Sequence, residues 1–229
     1  MQTIEVSSKA VAVRSFVTKV YGWMAAALMI TALVSMWTAM TPAIFQALIS
    51  NQILFIALLL AEVILVFYLS ARVQTMSVGR ASTAFLVYSI LNGLTLSIIF
   101  IAYTQASIAT TFFVTAGTFG AMSLYGFVTK TDLTSMGNML FMAIIGLVLA
   151  SVVNMFWHNS ALYWLITYAG ILIFVGLTAY DTQKIKRMAM EVDEESDIGK
   201  KAAIMGALAL YLDFINLFLM LLRLFGRRR

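Results

Sequence analysis

Three acidic side chains lie within or at the end of long apolar stretches of this sequence. They are Glu62, Asp181 and Asp213. A charged side chain inside a membrane costs roughly 2.5–3.5 kcal/mol on insertion scales, so an acid retained there is functional by default. These three residues are therefore the first candidates for chemistry.

Asp181 and Asp213 lie on two consecutive predicted helices, which a short connection makes antiparallel. The two side chains can then face each other in the cytoplasmic half of the membrane. Two carboxylates a few ångström apart cannot both ionise freely, so they titrate as one unit and a shared proton would make them a pH sensor. When deprotonated, the pair offers hard oxygen ligands suited to Ca²⁺. The alternative is that each aspartate is a separate polar contact that only joins helices.

One stripe of the seventh predicted helix is small and polar, whereas its other faces are apolar. Asp213 and Asn216 lie on this stripe, which follows the three-and-four spacing of a helical face. Its other members are Gly206, Ala209, Met220 and Arg223. This pattern predicts a helix inside a bundle.

The second predicted helix carries Glu62 in its middle and Arg72 at its cytoplasmic end. Glu62 lines the same cavity as the aspartates or is a protonated residue that packs helices. Arg72 extends to the lipid headgroups, as long basic side chains do, or reaches Asp181 as a latch. The residues leave both alternatives open.

The elements that must position these residues are membrane helices. Of 229 residues, 62% are hydrophobic and 11% are charged, and lipid is the simple partner for such an apolar surplus. Continuous apolar runs favour helices over barrel strands, because each helix pairs its own backbone groups. Seven spans are predicted: Tyr21–Met40, Ile53–Ala71, Thr83–Tyr103, Ile108–Thr129, Met136–Trp157, Leu162–Tyr180 and Ala202–Leu224.

The chain is predicted to be all-α, with a cytoplasmic N-terminal segment at residues 1–20 and one transmembrane domain at residues 21–229. No cysteine is present, which excludes thiolate metal sites and cysteine catalysis. The net charge of +5 comes from basic residues beside the apolar spans, so nucleic acid is not expected as a partner.

The segment Met188–Asp197 is expected to be a solvated loop, or a loop that attracts cations. Ala116/Gly120, Gly117/Ala121 and Gly146/Ala150 predict close helix packing.

Basic residues alternate between the connections and predict the orientation of the chain. Lys and Arg occur before the first span and after the second, fourth and sixth, which places the N-terminus in the cytoplasm. Seven crossings then place the C-terminus outside, although Arg223 and Arg227–Arg229 favour the inside. A re-entrant last segment with a cytoplasmic tail is the alternative.

Two motifs occur in the sixth and seventh predicted helices. The first is Gly176–Lys186, which reads GLTAYDTQKIK, and the second is Ala209–Phe218, which reads ALYLDFINLF. In this order they resemble the bacterial members of the Bax inhibitor (transmembrane Bax-inhibitor-motif) family. The resemblance implies six helices around a central seventh, and a pH-sensitive calcium leak controlled by Asp181 and Asp213. It also implies an arginine latch, for which Arg72 is the nearest match, and a second-helix acid, which Glu62 matches. Tyr211 and Asn216 are expected to support the aspartate pair.

The resemblance therefore implies a multi-pass protein of the bacterial inner membrane that is not an enzyme and holds no cofactor. Its expected partners are the lipid bilayer and Ca²⁺, with Asp181 and Asp213 as the cation's ligands. The alternative is a non-transporting regulator that binds a membrane protease or a stress factor. An intramembrane aspartyl protease is disfavoured, because Leu210-Tyr211-Leu212-Asp213 lacks the glycines of that family's Gly-x-Gly-Asp motif.

Overall fold

The fold is known from a computed structural model that describes the backbone of residues 2–229 and the side chains of residues 11–229. Over this range it contains nine α-helices and no strand beyond an isolated bridge between Tyr103 and Arg228. The helices are α1 Gln2–Met40, α2 Pro42–Ser50, α3 Gln52–Arg72, α4 Val78–Leu96, α5 Ile99–Ala102, α6 Gln105–Val128, α7 Thr134–Trp157, α8 Ser160–Glu191 and α9 Asp197–Phe225.

Seven helical segments are long and apolar enough to cross a membrane, as predicted. In the second and fifth of these, α3 and α7, only 11% of the most apolar stretch is buried. Side chains such as Ile53, Phe67 and Phe156 are largely exposed. Apolar surface on this scale fits contact with lipid, not water.

Helix α9 is the most buried of the seven spans. The buried share of its most apolar stretch is 72%, whereas the other spans have between 11% and 39%. Burial around most of the helix is what the prediction of an interior seventh helix requires. The helix is also uninterrupted from Asp197 to Phe225 and long enough to cross a membrane, which favours a seventh crossing over a re-entrant segment. The side of the membrane on which the C-terminal tail lies stays a prediction.

Several predicted boundaries need correction. Helix α2 occupies a stretch expected to be a connection, because Pro42 starts a helix readily at its first position. The third span is divided near Ser97 into α4 and the short α5. Helix α1 begins at Gln2 and so includes most of residues 1–20, whose assignment as a cytoplasmic segment stays a prediction. The side chains of residues 1–10, among them Lys9, lie outside the described residues.

Only the middle of the acidic segment Met188–Asp197 is a loop, whereas the whole segment was predicted to be one. Helix α8 continues to Glu191 and α9 starts at Asp197, which leaves residues 192–196 as the connection. Ser196 caps α9, since its Oγ accepts a hydrogen bond from the backbone N–H of Gly199 at 3.0 Å. The acidic composition of the segment had obscured a helix end and a helix start.

The residues group into two compact units. The first contains the described chain up to Ala102, together with Ile185–Tyr211 and Arg229, and the second contains Tyr103–Lys184 and Leu212–Arg228. In the first unit, α1 packs mainly against α4, and α3 also packs against α4. The core of the second unit is built from α7, α8 and α9 around Leu140, Phe174 and Leu217. The predicted single domain at residues 21–229 stays a prediction.

Candidate functional site

The second unit brings the two predicted aspartates together. Asp181 is in the cytoplasmic-end half of α8 by the predicted orientation, and Asp213 is near the middle of α9. Their carboxyl groups are in hydrogen-bonding contact with each other. A hydrogen bond between two carboxyl groups needs a proton on one of them, because an ionised carboxylate only accepts. The pair therefore has the geometry of a shared-proton site.

Asp213 lies in apolar surroundings. Its side chain is 4% exposed, and its Oδ2 is buried with no hydrogen-bond partner among the described residues. Next to it, the ring of Phe214 packs edge-on against Phe112 at 5.5 Å and against Phe119 at 5.4 Å between centroids. A buried oxygen without a partner is costly, so it is the kind of group that a proton or a cation would satisfy.

Asp181 is less enclosed than Asp213. Its side chain is half-buried, and Lys184, three residues later, is a nearby positive charge. Helical spacing places positions three residues apart on one face. Within the pair, Asp213 is therefore the more buried residue, in apolar surroundings, and Asp181 is the more exposed residue, beside a cation.

Close packing positions the segment of α8 just before Asp181. A Cβ on Gly126 of α6 would collide with the carbonyl of Ala179, and a Cβ on Gly137 of α7 would collide with the ring of Tyr180. Only glycine permits these approaches. An added methyl on Gly117, Gly120 or Gly146 would meet no described atom within 4 Å, so the helices do not meet at these three glycines of the predicted pairs. Ala150, the partner of Gly146, does pack against the core of the second unit.

Gln183 fixes the segment from the other side of Asp181. Its Oε1 accepts a hydrogen bond from the backbone N–H of Leu133 at 2.9 Å, and its Nε2 donates to the carbonyl of Thr131 at 2.8 Å. These two bonds tie α8 to the connection between α6 and α7. A bidentate amide contact of this kind sets both the position and the rotation of a helix.

The first unit contains a second buried acid with a complete set of partners. Glu62 on α3 is 8% exposed. Its Oε2 accepts from Asn92 Nδ2 at 3.1 Å and its Oε1 accepts from Thr95 Oγ1 at 2.7 Å, both on α4. Glu62 therefore joins two helices.

Tyr211 extends this network to α9 and α1. Its hydroxyl donates to Asn92 Oδ1 at 3.2 Å and lies 2.6 Å from Thr31 Oγ1, which in turn donates to the carbonyl of Ser89 at 2.8 Å. The rings of Phe85 and Tyr88 pack edge-on against Tyr211. Tyr211 is thus a member of the Glu62 network, whereas it was predicted to support the aspartates.

The remaining predicted residues lie as follows. Asn216 is half-buried one turn beyond Asp213, and its Nδ2 donates to the carbonyl of Leu212 at 2.8 Å. That bond stays within α9. Arg72 is the exposed last residue of α3 in the first unit. Its role as a latch stays a prediction.

The sequence identified the three acids but not the residues that contact or position them. Asn92 carried a signal, since an amide in the middle of an apolar span calls for a partner as an acid does. Gly126, Gly137 and Gln183 had none, because their role depends on which helices face them. Within the described residues, no group of three or more His, Asp or Glu side chains could hold a metal ion.

Known proteins of similar length resemble this chain over more than nine-tenths of its residues. It is 54% identical over 217 residues to the inner membrane protein YbhL of Escherichia coli K12, covering 94% of this chain and 93% of that protein. It is 46% identical over 214 residues to a protein of Borreliella burgdorferi, at 93% and 92% coverage. A membrane protein of Streptococcus pyogenes serotype M1 is 36% identical over 219 residues, at 95% and 94% coverage.

The family described as "Inhibitor of apoptosis-promoting Bax1" matches residues 13–229. This range begins within the first span and includes the other six spans. It also includes Asp181, Asp213 and the residues of the Glu62 network. The resemblance of the two helix motifs is therefore confirmed across the chain. The chain belongs to the Bax inhibitor-1 family and is a multi-pass membrane protein of that family.

Proposed function

We propose that this protein is a pH-sensitive calcium leak of the bacterial inner membrane, gated by Asp181 and Asp213. The observation that carries the proposal is the contact between the two carboxyl groups, one of which has a buried oxygen that bonds to none of the described residues. Similarity to an inner membrane protein supports the location. We also propose a cytoplasmic N-terminus, which the basic residues of the earlier connections favour, and a periplasmic C-terminus, which follows from seven crossings.

The proton is the gate in this mechanism. With one proton, the two carboxyl groups attract each other and hold α8 against α9. Without it, two negative charges in a medium of low dielectric constant repel, which pushes the helices apart. The same loss of the proton exposes carboxylate oxygens to an entering cation. Closure and passage are thus two protonation states of a single pair.

A cation pathway fits the ligand set better than a storage site. Carboxylate oxygens are hard ligands of the type that Ca²⁺ selects, but a tight site takes six to eight oxygens. Two carboxyl groups alone would bind a passing ion weakly, and conduction requires that an ion also leaves. Calcium is therefore proposed as the transported ion and not as a resident cofactor.

Arg72 is proposed as an auxiliary latch. It is an exposed cation at the end of α3. Its guanidinium would pair with Asp181 in the closed state and compete there with Lys184. Glu62 is proposed to tune the opening through the hydrogen bonds that join α3 to α4.

The experiment is Ca²⁺ flux into proteoliposomes loaded with a calcium-sensitive dye. Asp213→Asn and Asp181→Asn should each reduce the flux at neutral pH by about tenfold, because an amide carries no negative charge to attract the ion. Asp197→Asn is the matched control, since Asp197 is an exposed acid in the first turn of the same helix. Its flux should equal that of the wild type.

The result also separates this function from the alternative of a regulator that binds a membrane protease. A regulator predicts that flux is absent from the wild type. It also predicts a stoichiometric partner on co-purification that survives loss of both aspartates. Flux that is equal in wild type and Asp213→Asn would refute the leak gated by this pair.

A further inference from the structure

A cavity of about 590 Å³ opens at one end of the second unit, away from the aspartates along α9. It lies where α7 ends, α8 begins and the chain terminates. Its lining contains Arg223, Arg228 and His158, and no Asp or Glu is among the described residues that line it. A volume of this size is typical of pockets for small ligands.

One tyrosine holds both arginines at this cavity. The guanidinium of Arg223 lies 5.8 Å from the ring centroid of Tyr163, and Arg228 Nη2 donates to the Tyr163 hydroxyl at 3.4 Å. Arg228 also contacts the side chain of Tyr103. Two positive charges thus meet at one aromatic ring, where their repulsion would be relieved by an anion.

The chain end is fastened so that these side chains are held in place. The backbone N–H of Arg227 donates to Ser107 Oγ at 3.0 Å, and the backbone N–H of Thr104 donates to the carbonyl of Arg227 at 3.1 Å. Terminal residues are ordered only when such bonds hold them. The segment that carries Arg228 is therefore held in place by backbone hydrogen bonds and is not a free tail.

The opposite wall of the cavity is formed by the start of α8. Helix α8 begins at Ser160, which lines the cavity, and the start of a long helix attracts negative charge. His158 has a left-handed backbone (φ 50°, ψ 37°), which glycine or asparagine usually provides at a helix end. That turn directs the chain into the start of α8 beside the arginines.

The depth of the cavity matches the headgroups of a bilayer. Trp164 is 41% exposed on its rim, and Trp157 is 73% exposed at the end of α7. Exposed tryptophans at helix ends mark the interface between lipid and water. A cationic cavity at this depth faces phosphate groups from lipid and from solution alike.

We propose that this cavity binds a phosphate-bearing anion through Arg223 and Arg228. The chemistry is a charge-assisted contact between guanidinium groups and phosphate oxygens. Either an anionic phospholipid headgroup or a free phosphate can supply that group. The site also explains why arginines are retained at an end of the chain where the distribution of basic residues predicts few.

The test measures lipid bound to the delipidated full chain by native mass spectrometry. Phosphatidylglycerol and phosphatidylcholine are added in separate samples, with and without inorganic phosphate. The site predicts retention of phosphatidylglycerol over phosphatidylcholine. Displacement by inorganic phosphate identifies the phosphate group alone as the ligand, and no displacement identifies the lipid. No preference for phosphatidylglycerol, together with no binding of inorganic phosphate, would overturn the proposal.

Paired variants separate the cavity from general surface charge. R223Q/R228Q should weaken binding by about tenfold or more, since each removes a charge-assisted contact. R227Q/R229Q removes the same charge from the adjacent tail and should leave binding within about twofold. Equal losses in the two variants would refute the site. Arg228→Gln alone alters an exposed side chain. A loss of binding in this variant at an unchanged thermal midpoint would therefore be a loss of the site and not of the fold.

Discussion

The carboxyl groups of Asp181 and Asp213 meet within one compact unit, and Asp213 Oδ2 is buried there with no hydrogen-bond partner in the described part of the chain. This relationship combines a shared proton with an unsatisfied oxygen. If every carboxyl oxygen of the pair had a hydrogen-bond partner, the pair would only join the two helices. An oxygen without a partner can instead bind a proton or a cation.

Gly126→Ala should destabilise the protein and disturb the position of Asp181. The added methyl would meet the carbonyl of Ala179, so α6 must move away from α8. We expect a loss of about 1–3 kcal/mol in the free energy of unfolding, as for other overpacked cores. Denaturation of the purified protein in mixed detergent micelles measures it.

Gly117→Ala is the control for this substitution, because it adds the same methyl to the same helix at a place where no described atom of another element lies within 4 Å. It should be neutral or stabilising by about 0.5–1 kcal/mol, since alanine favours helix. Equal destabilisation by both changes would show that helix propensity, not contact with α8, decides the outcome.

Tyr211→Phe should weaken the network of the first unit. It leaves Asn92 Oδ1 without its donor and removes the contact with Thr31, while the ring still packs against Phe85. We expect a loss of about 1–2 kcal/mol in unfolding free energy, the range of hydrogen bonds between membrane helices. Tyr168→Phe changes an exposed tyrosine and should stay within about 0.5 kcal/mol of the wild type.

The ion pair between Lys19 and Glu195 predicts a small dependence of stability on pH. Lys19 Nζ donates to Glu195 Oε1 at 2.5 Å, and this bond lowers the pKa of Glu195 below its usual value. A carboxyl with a lowered pKa stabilises the fold above its unfolded-state pKa of about 4.3, and this contribution is lost as the pH falls through the lowered value.

Thermal midpoints of the wild type and Lys19→Gln should therefore differ at neutral pH and converge in acid. The difference should be small and should shrink in high salt, because both side chains are exposed. A difference of constant size at every pH would contradict this origin.

The membrane fold could be predicted because lipid imposes a simple rule on sequence. Long apolar runs gave the seven spans, and the small-polar stripe through Asp213 indicated that α9 is interior. The helix α2 was missed because its nine residues are too short to span a membrane. The end of α8 and start of α9 were missed because polar residues in a helix outside the membrane carry no hydropathy signal.

The aspartate pair could be predicted for a similar reason, since each acid stands out in an apolar run. The Glu62 network could not, because its partners are 30 and 33 residues along the chain, and Tyr211 is 119 residues from Asn92. Hydroxyl and amide side chains are common in membrane helices. Only the packing of α1, α3, α4 and α9 shows which of them meet.

The pH dependence of Ca²⁺ flux in the wild type and in Asp213→Asn tests the central claim most directly. The wild-type flux should rise between about pH 6 and 8, where a buried carboxyl pair releases its shared proton. Asp213→Asn should be low and flat over this range, with Asp197→Asn following the wild type. A wild-type flux that does not change with pH, or a variant that keeps the wild-type profile, would contradict gating by this pair.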